Sequence, residues 1–191
     1  MEYFVIIFGA IFINNIVLSR FLGICPFLGV SKSTTTAIGM GGAVLFVMTI
    51  ATIVTYLIFQ FLLIPFGITY LQTVAYILVI AFLVQVVEIV LKKISPELYR
   101  ALGVFLPLIT TNCAILGVAI LVIQQDFNLL ESVVFAVANA IGFTLAIVLF
   151  SSIREQLDLA EIPPAMKGVP AALVVAGILS MAFMGFSGMN F

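Results

Sequence analysis

The chain has no histidine and no tryptophan, only two cysteines, and charged side chains at only 8% of its positions. Each shortage excludes something. Without histidine there is no imidazole to hold a haem or relay protons near neutrality, so any metal chemistry must use thiolate or oxygen. Two cysteines cannot build the disulfide framework of a small secreted domain. A soluble domain carries charge at about a quarter of its positions, so a soluble fold is excluded as well. The seven Lys and Arg residues form no basic run, which leaves nothing to track a phosphate backbone and excludes nucleic acid as a partner. No glycine-rich phosphate loop follows a strand and no flavin-attachment segment is visible, so nucleotide redox chemistry would belong to other chains. Met1-Glu2 lacks the basic start of a secretory signal, and the first apolar run is read as a retained helix.

What is present is hydrophobic: 64% of the residues. The pattern predicts an all-α integral membrane protein, a single membrane domain over 1–191 with six spans. Residues 3–30 read as a broken helix, or a helix plus a half-helix, interrupted at Ser19-Arg20 and again apolar around Gly23 and Pro26. The second span is expected over 37–63, with Pro65-Phe66-Gly67 as a turn, and the third over 71–91, closing on Lys92-Lys93 and Ser95-Pro96. The fourth, 98–124, contains Pro107 and Thr110-Thr111-Asn112 and is expected to break just before Cys113. Asp126 and Asn128 mark a turn. The fifth and sixth spans are expected at 132–150 and 169–187, with a polar loop from Arg154 to Lys167 between them.

The distribution of basic residues gives an orientation. Arg20 and Lys32 fall in or beside loop 1–2, Lys92, Lys93 and Arg100 around loop 3–4, and Arg154 and Lys167 in loop 5–6. The other loops and both termini have none, so those three loops are expected in the cytoplasm and the termini outside. Three crossings per half would insert 1–95 and 96–191 upside down relative to each other. A short repeat supports two related halves: Cys25-x-x-Leu28-Gly29-Val30 returns 88 positions later as Cys113-x-x-Leu116-Gly117-Val118. In such a 3+3 inverted-topology repeat the two cysteines, each at a broken helix, should approach near the midplane.

Two thiols at matching points of an inverted repeat suit a metal or cluster site on the symmetry axis; the alternative is two small buried packing residues. A two- or four-iron cluster takes four protein ligands, and Cys25 and Cys113 are two, so the others would come from a second chain. Pro107, Asn14-Asn15, Thr110, Thr111 and Asn112 read either as lining of a broken-helix cavity or as ordinary interhelical partners, and Asn139 as packing glue. Glu88, four residues before Lys92, reads as a helix pair at the interface or as an ion-handling group. Glycines 39, 41 and 42 suit close helix packing.

FINNIVLSRFLGICPFLGVSKS at 12–33, LPLITTNCAILGVAI at 106–120 and LFSSIREQL at 149–157 resemble the family of the Rnf A and E subunits and the D and E subunits of the sodium-pumping NADH:quinone oxidoreductase. The resemblance covers essentially the whole chain. It implies a six-span subunit of a redox-driven ion translocase in a prokaryotic cytoplasmic membrane, without a complete active site of its own. It also implies a homologous, oppositely oriented E-like partner (RnfE-like), with Cys25 and Cys113 supplying half the ligands of an intramembrane [2Fe–2S] cluster shared with it. Further partners would carry flavin, iron–sulfur and NAD sites, and membrane lipid would surround the assembly. Outward termini suit the A-like members. The competing readings are a subunit of the quinone-reductase type, a secondary transporter with a midplane substrate site, and a structural scaffold.

Overall fold

Apolar runs punctuated by Asn, Gly and Pro fold into helices and turns, with no strand among the described residues. The computed structural model describes residues 2–94, 100, 106–161, 163 and 166–188. In chain order, α1 (Glu2–Phe8) runs into a π-helical turn (Gly9–Ile13), and α2 (Ile24–Val30) follows after ten residues of turn. The next helix, α3 (Thr34–Ile58), is prolonged by a second π turn (Phe59–Leu63) and a last turn, Ile64–Phe66, which Gly67 ends in the left-handed conformation. Then come α4 (Gln72–Ile94), α5 (Leu106–Thr110), α6 (Cys113–Gln124), α7 (Leu129–Leu159) and α8 (Val169–Met184).

Helices α3 and α7 form the centre because small residues line their seam. Val44, Val47, Met48 and Ala51 of α3 and Ala136, Ala140, Phe143, Ala146 and Ile147 of α7 are fully buried in one cluster. In lipid the hydrophobic effect does not drive helices together, so close van der Waals contact must, and small side chains permit it. A Cβ on Gly41 would overlap the side chain of Thr144, which shows how closely the two helices approach. The remaining helices surround this pair. The outer side of α4 presents Val74, Ile77, Leu78, Phe82 and Val86.

Among the described residues four helices are long and apolar enough to cross a membrane, within Thr34–Phe66, Gln72–Val90, Pro107–Gln124 and Leu129–Leu159; Tyr3–Ile13 and Val169–Met184 are shorter apolar helices. The structure corrects three boundaries. The first helix stops at Ile13, well before Ser19-Arg20, because Asn15 draws the backbone out of the helix. The second continues to Phe66, since Pro65 falls in its last turn rather than ending it. The fifth starts at Leu129, where Asn128 and Glu131 form a reciprocal capping box, and it runs on to Leu159. Arg154 is therefore helical and not part of a loop. The break before Cys113 falls at the expected place. Ser95-Pro96 and the start of the fourth helix lie outside the described residues.

Candidate functional site: two cysteines at broken helices

A helix broken inside a membrane leaves backbone groups that water cannot satisfy, so the side chains that take over reveal why the chain breaks there. For the first break the main agent is Asn15, which is fully buried. Its Oδ1 accepts from the backbone N–H of Val17 (3.1 Å) and Leu18 (3.3 Å), while its Nδ2 donates to the carbonyls of Ile11 (3.0 Å) and Gly142 (2.9 Å). One amide thus uses its whole hydrogen-bonding capacity to end α1 and tie the turn to α7. Ser180 of α8 donates to the Leu18 carbonyl, satisfying the turn from the other side.

The chain re-enters a helix through Gly23, whose φ of 82° is one that a residue with a side chain resists. Ile24 opens α2, and Pro26 falls in its first turn, where a missing N–H costs nothing. Cys25 lies between them and its thiol is free and exposed on the surface of this chain.

The second break is more local. Asn112 caps α6, its Oδ1 accepting from the N–H of Ala114 at 3.0 Å, and Cys113 is the first residue of that helix. Thr111 bonds back to the Pro107 carbonyl through both its N–H and its hydroxyl. The Cys113 thiol is also free and exposed, with a long contact of 3.8 Å to the Thr111 carbonyl. Asn112 itself is buried and its Nδ2 has no partner among the described residues.

The two breaks adjoin. A Cβ on Gly23 would lie 3.0 Å from Asn112 Oδ1 and 3.1 Å from the Ala114 Cβ, so the residue two before Cys25 touches both neighbours of Cys113. One on Gly117 would lie 2.6 Å from Leu22 Cδ1, which seats the first break against the second half-helix. Among the described residues no three His, Cys, Asp or Glu side chains are grouped to hold a metal ion. Two surface thiols on adjoining helix starts, beside an unpartnered buried donor, fit part of a ligand set that another chain would complete.

The other sequence candidates lie elsewhere. Asn139 bonds back to Phe135 of its own helix. Glu88 is half-buried near the end of α4, one turn before Lys92. Sequence reasoning misses Arg154 as a site residue: its Nη1 donates to the Leu28 carbonyl (2.9 Å) and to Ser31 Oγ (3.0 Å), at the far end of the half-helix that carries Cys25. Next to it, Glu155 Oε1 accepts from the N–H of Thr34 at the start of α3 (2.8 Å). The available signal is a cation immediately after a long apolar run, inside the LFSSIREQL stretch that carries part of the family resemblance.

Comparison with known proteins agrees over the full length. The family described as "Rnf-Nqr subunit, membrane protein" matches residues 3–190. The A subunit of the Na(+)-translocating ferredoxin:NAD(+) oxidoreductase complex of Acetobacterium woodii is 58% identical over 190 residues, covering 100% of this chain and 99% of the relative. The A subunit of the ion-translocating oxidoreductase complex of Syntrophotalea carbinolica is 55% identical, covering 96% and 95%, and its namesake from Vibrio cholerae is 50% identical, covering 98% and 97%. A match of this extent places the chain in the Rnf–Nqr family of membrane subunits, among relatives that are the A subunits of ion-translocating oxidoreductase complexes.

Proposed function

We propose that this chain is the A subunit of an ion-translocating ferredoxin:NAD oxidoreductase complex in a prokaryotic cytoplasmic membrane. In this reading Cys25 and Cys113 provide two of the four thiolates of a [2Fe–2S] cluster shared with a homologous, oppositely inserted partner. The observation that carries it is the pair of free, exposed thiols on adjoining helix starts. Packing cysteines would be buried in this chain, whereas ligands shared with a partner must face outward. The relatives' names favour the ferredoxin–NAD complex over the quinone reductase and over a transporter.

When bound, such a cluster supplies one-electron transfer within the membrane. The chain's own part is to hold two sulfurs at fixed places in a low-dielectric setting and keep the broken backbone satisfied. Asn15, Ser180 and Asn112 do the latter. The Asn112 Nδ2, unpartnered among the described residues, is a donor available to whatever adjoins Cys113. A 3+3 inverted repeat also fits this reading, because α3 and α7, the second span of each half, form the central pair, and the two cysteine segments meet.

The test is substitution in the intact complex. Cys25→Ser, Cys113→Ser and the double change should each abolish the cluster's spectroscopic signal and ion-coupled electron transfer while the complex still assembles, with the double no worse than either single. Wild-type turnover in either single variant would overturn the ligand assignment and leave a transporter or scaffold role.

A further inference from the structure

We infer that Arg154 is a positioning residue for Cys25, acting through the half-helix α2. A helix of seven residues has too few internal bonds to be stable alone, so its placement depends on what grips it. Leu108 of α5 lies against Gly29, and the rest of the grip described here comes from one stripe of α7. Phe143 faces Gly23, where a Cβ would lie 3.1 Å from its ring; Phe150 stacks on Phe27 with ring centroids 4.2 Å apart; Arg154 bonds the Leu28 carbonyl and Ser31 at the end of α2. Spacings of seven and four residues put the three on one face of α7, about 16 Å apart end to end.

Among the described residues, Arg154 supplies the directional part of this grip. The two ring contacts allow α2 to slide or roll, while a guanidinium donating to a carbonyl and a hydroxyl at once does not. Glu155 fixes the start of α3 from the adjacent position, so two neighbouring residues of α7 hold both sides of the turn between α2 and α3. Cys25 sits at the opposite end of α2 from this anchor. Loss of the anchor is transmitted to the thiol as freedom of the whole half-helix. Cys113 has no such dependence, because Asn112 caps its helix from within its own turn.

The proposal uses the ligand reading only for what the Cys25 sulfur does; the anchoring itself is independent of it. The test uses the intact complex in membranes, with Arg154→Met, Arg154→Lys and Ser31→Ala. Iron content is measured first, the iron is then chelated away so that both thiols are free in every variant, and modification of Cys25 and Cys113, this chain's only cysteines, by a small maleimide is followed by mass spectrometry. Arg154→Met should raise the Cys25 rate about tenfold, as loss of a charge-assisted hydrogen bond implies, with Cys113 within about twofold of wild type and Arg154→Lys between. Equal change at both cysteines, or change at neither, overturns the proposal. Should Arg154→Met fail to assemble, Ser31→Ala decides: it keeps the bond to Leu28 and should raise Cys25 alone by a few fold, and an equal or absent effect again overturns it. Absence of iron from the wild-type complex would overturn the cluster reading but not the anchor, which the difference between the two cysteines tests separately.

Discussion

The side-chain amide of Asn15 donates to the backbone carbonyl of Gly142 across 2.9 Å, joining positions 127 residues apart in the chain. Gly142 makes this possible, since a Cβ there would lie 3.2 Å from the amide nitrogen and 3.3 Å from the Ala10 carbonyl and the Ile11 Cα. The first break and the central helix are therefore fixed to each other at a point where neither has water to fall back on.

Asn15→Leu should be among the most damaging substitutions in the chain. It strands the N–H groups of Val17 and Leu18 and takes a donor from two carbonyls, at about 1–3 kcal/mol for each buried group left unmade. The expected outcome is little assembled protein in membranes, measured by blue-native electrophoresis. Asn15→Asp, ionised, keeps the acceptor but loses the donor and adds a charge to a fully buried site, so it should be no milder.

Gly41→Ala should weaken the α3–α7 seam, because the new methyl meets Thr144. Thr144 bonds back to its own helix, at the Ala140 carbonyl, so Thr144→Ala alone should be mild. Combined with Gly41→Ala it removes the two nearest clashing atoms and should restore part of the loss. The measurement is the thermal midpoint of the detergent-purified complex across the double-mutant cycle, and strict additivity would contradict direct contact.

Phe27→Ala should cost about 3 kcal/mol through the void left against Phe150, whereas Phe27→Leu should cost far less. Thermal unfolding followed by a thiol-reactive dye would separate them.

Expressed without its complex, the chain should hold no stable cluster, or one bridged between two copies, because it brings two thiols where four are needed. Iron and sulfide analysis of a verified monomer checks this; stoichiometric iron there would end the shared-site reading.

Reporter fusions at the C-terminus should report the outer side, and insertions after Ala160 the cytoplasm, as the placement of all seven basic residues implies. A cytoplasmic C-terminus would mean that an odd number of segments cross.

Much of the fold is legible from local chemistry. Asn112 announces a cap three residues after a leucine–isoleucine run, and the helix indeed restarts at Cys113. Sequence places the first break too late because Ser19-Arg20 is the more polar pair, whereas Asn15 acts through Gly142, a partner that sequence order does not reveal. Arg154 reads as a loop residue for the same reason. A cation after an apolar span ordinarily ends it, and only the carbonyl of Leu28 and the hydroxyl of Ser31, more than 120 positions away, explain why α7 continues. The free, outward thiols are not legible at all, since burial depends on the assembled fold.

Helix α7 spans 31 residues, about 46 Å at about 1.5 Å per residue, against a hydrocarbon layer of about 30 Å. A rod longer than the film it crosses must lean or protrude, and either way its last turns reach the aqueous boundary. Those turns carry Arg154 and Glu155, while Gly142 and Phe143 lie deeper on the same rod. A push on the wetted end is therefore delivered, without a joint between, to the place inside the bilayer where both broken helices meet.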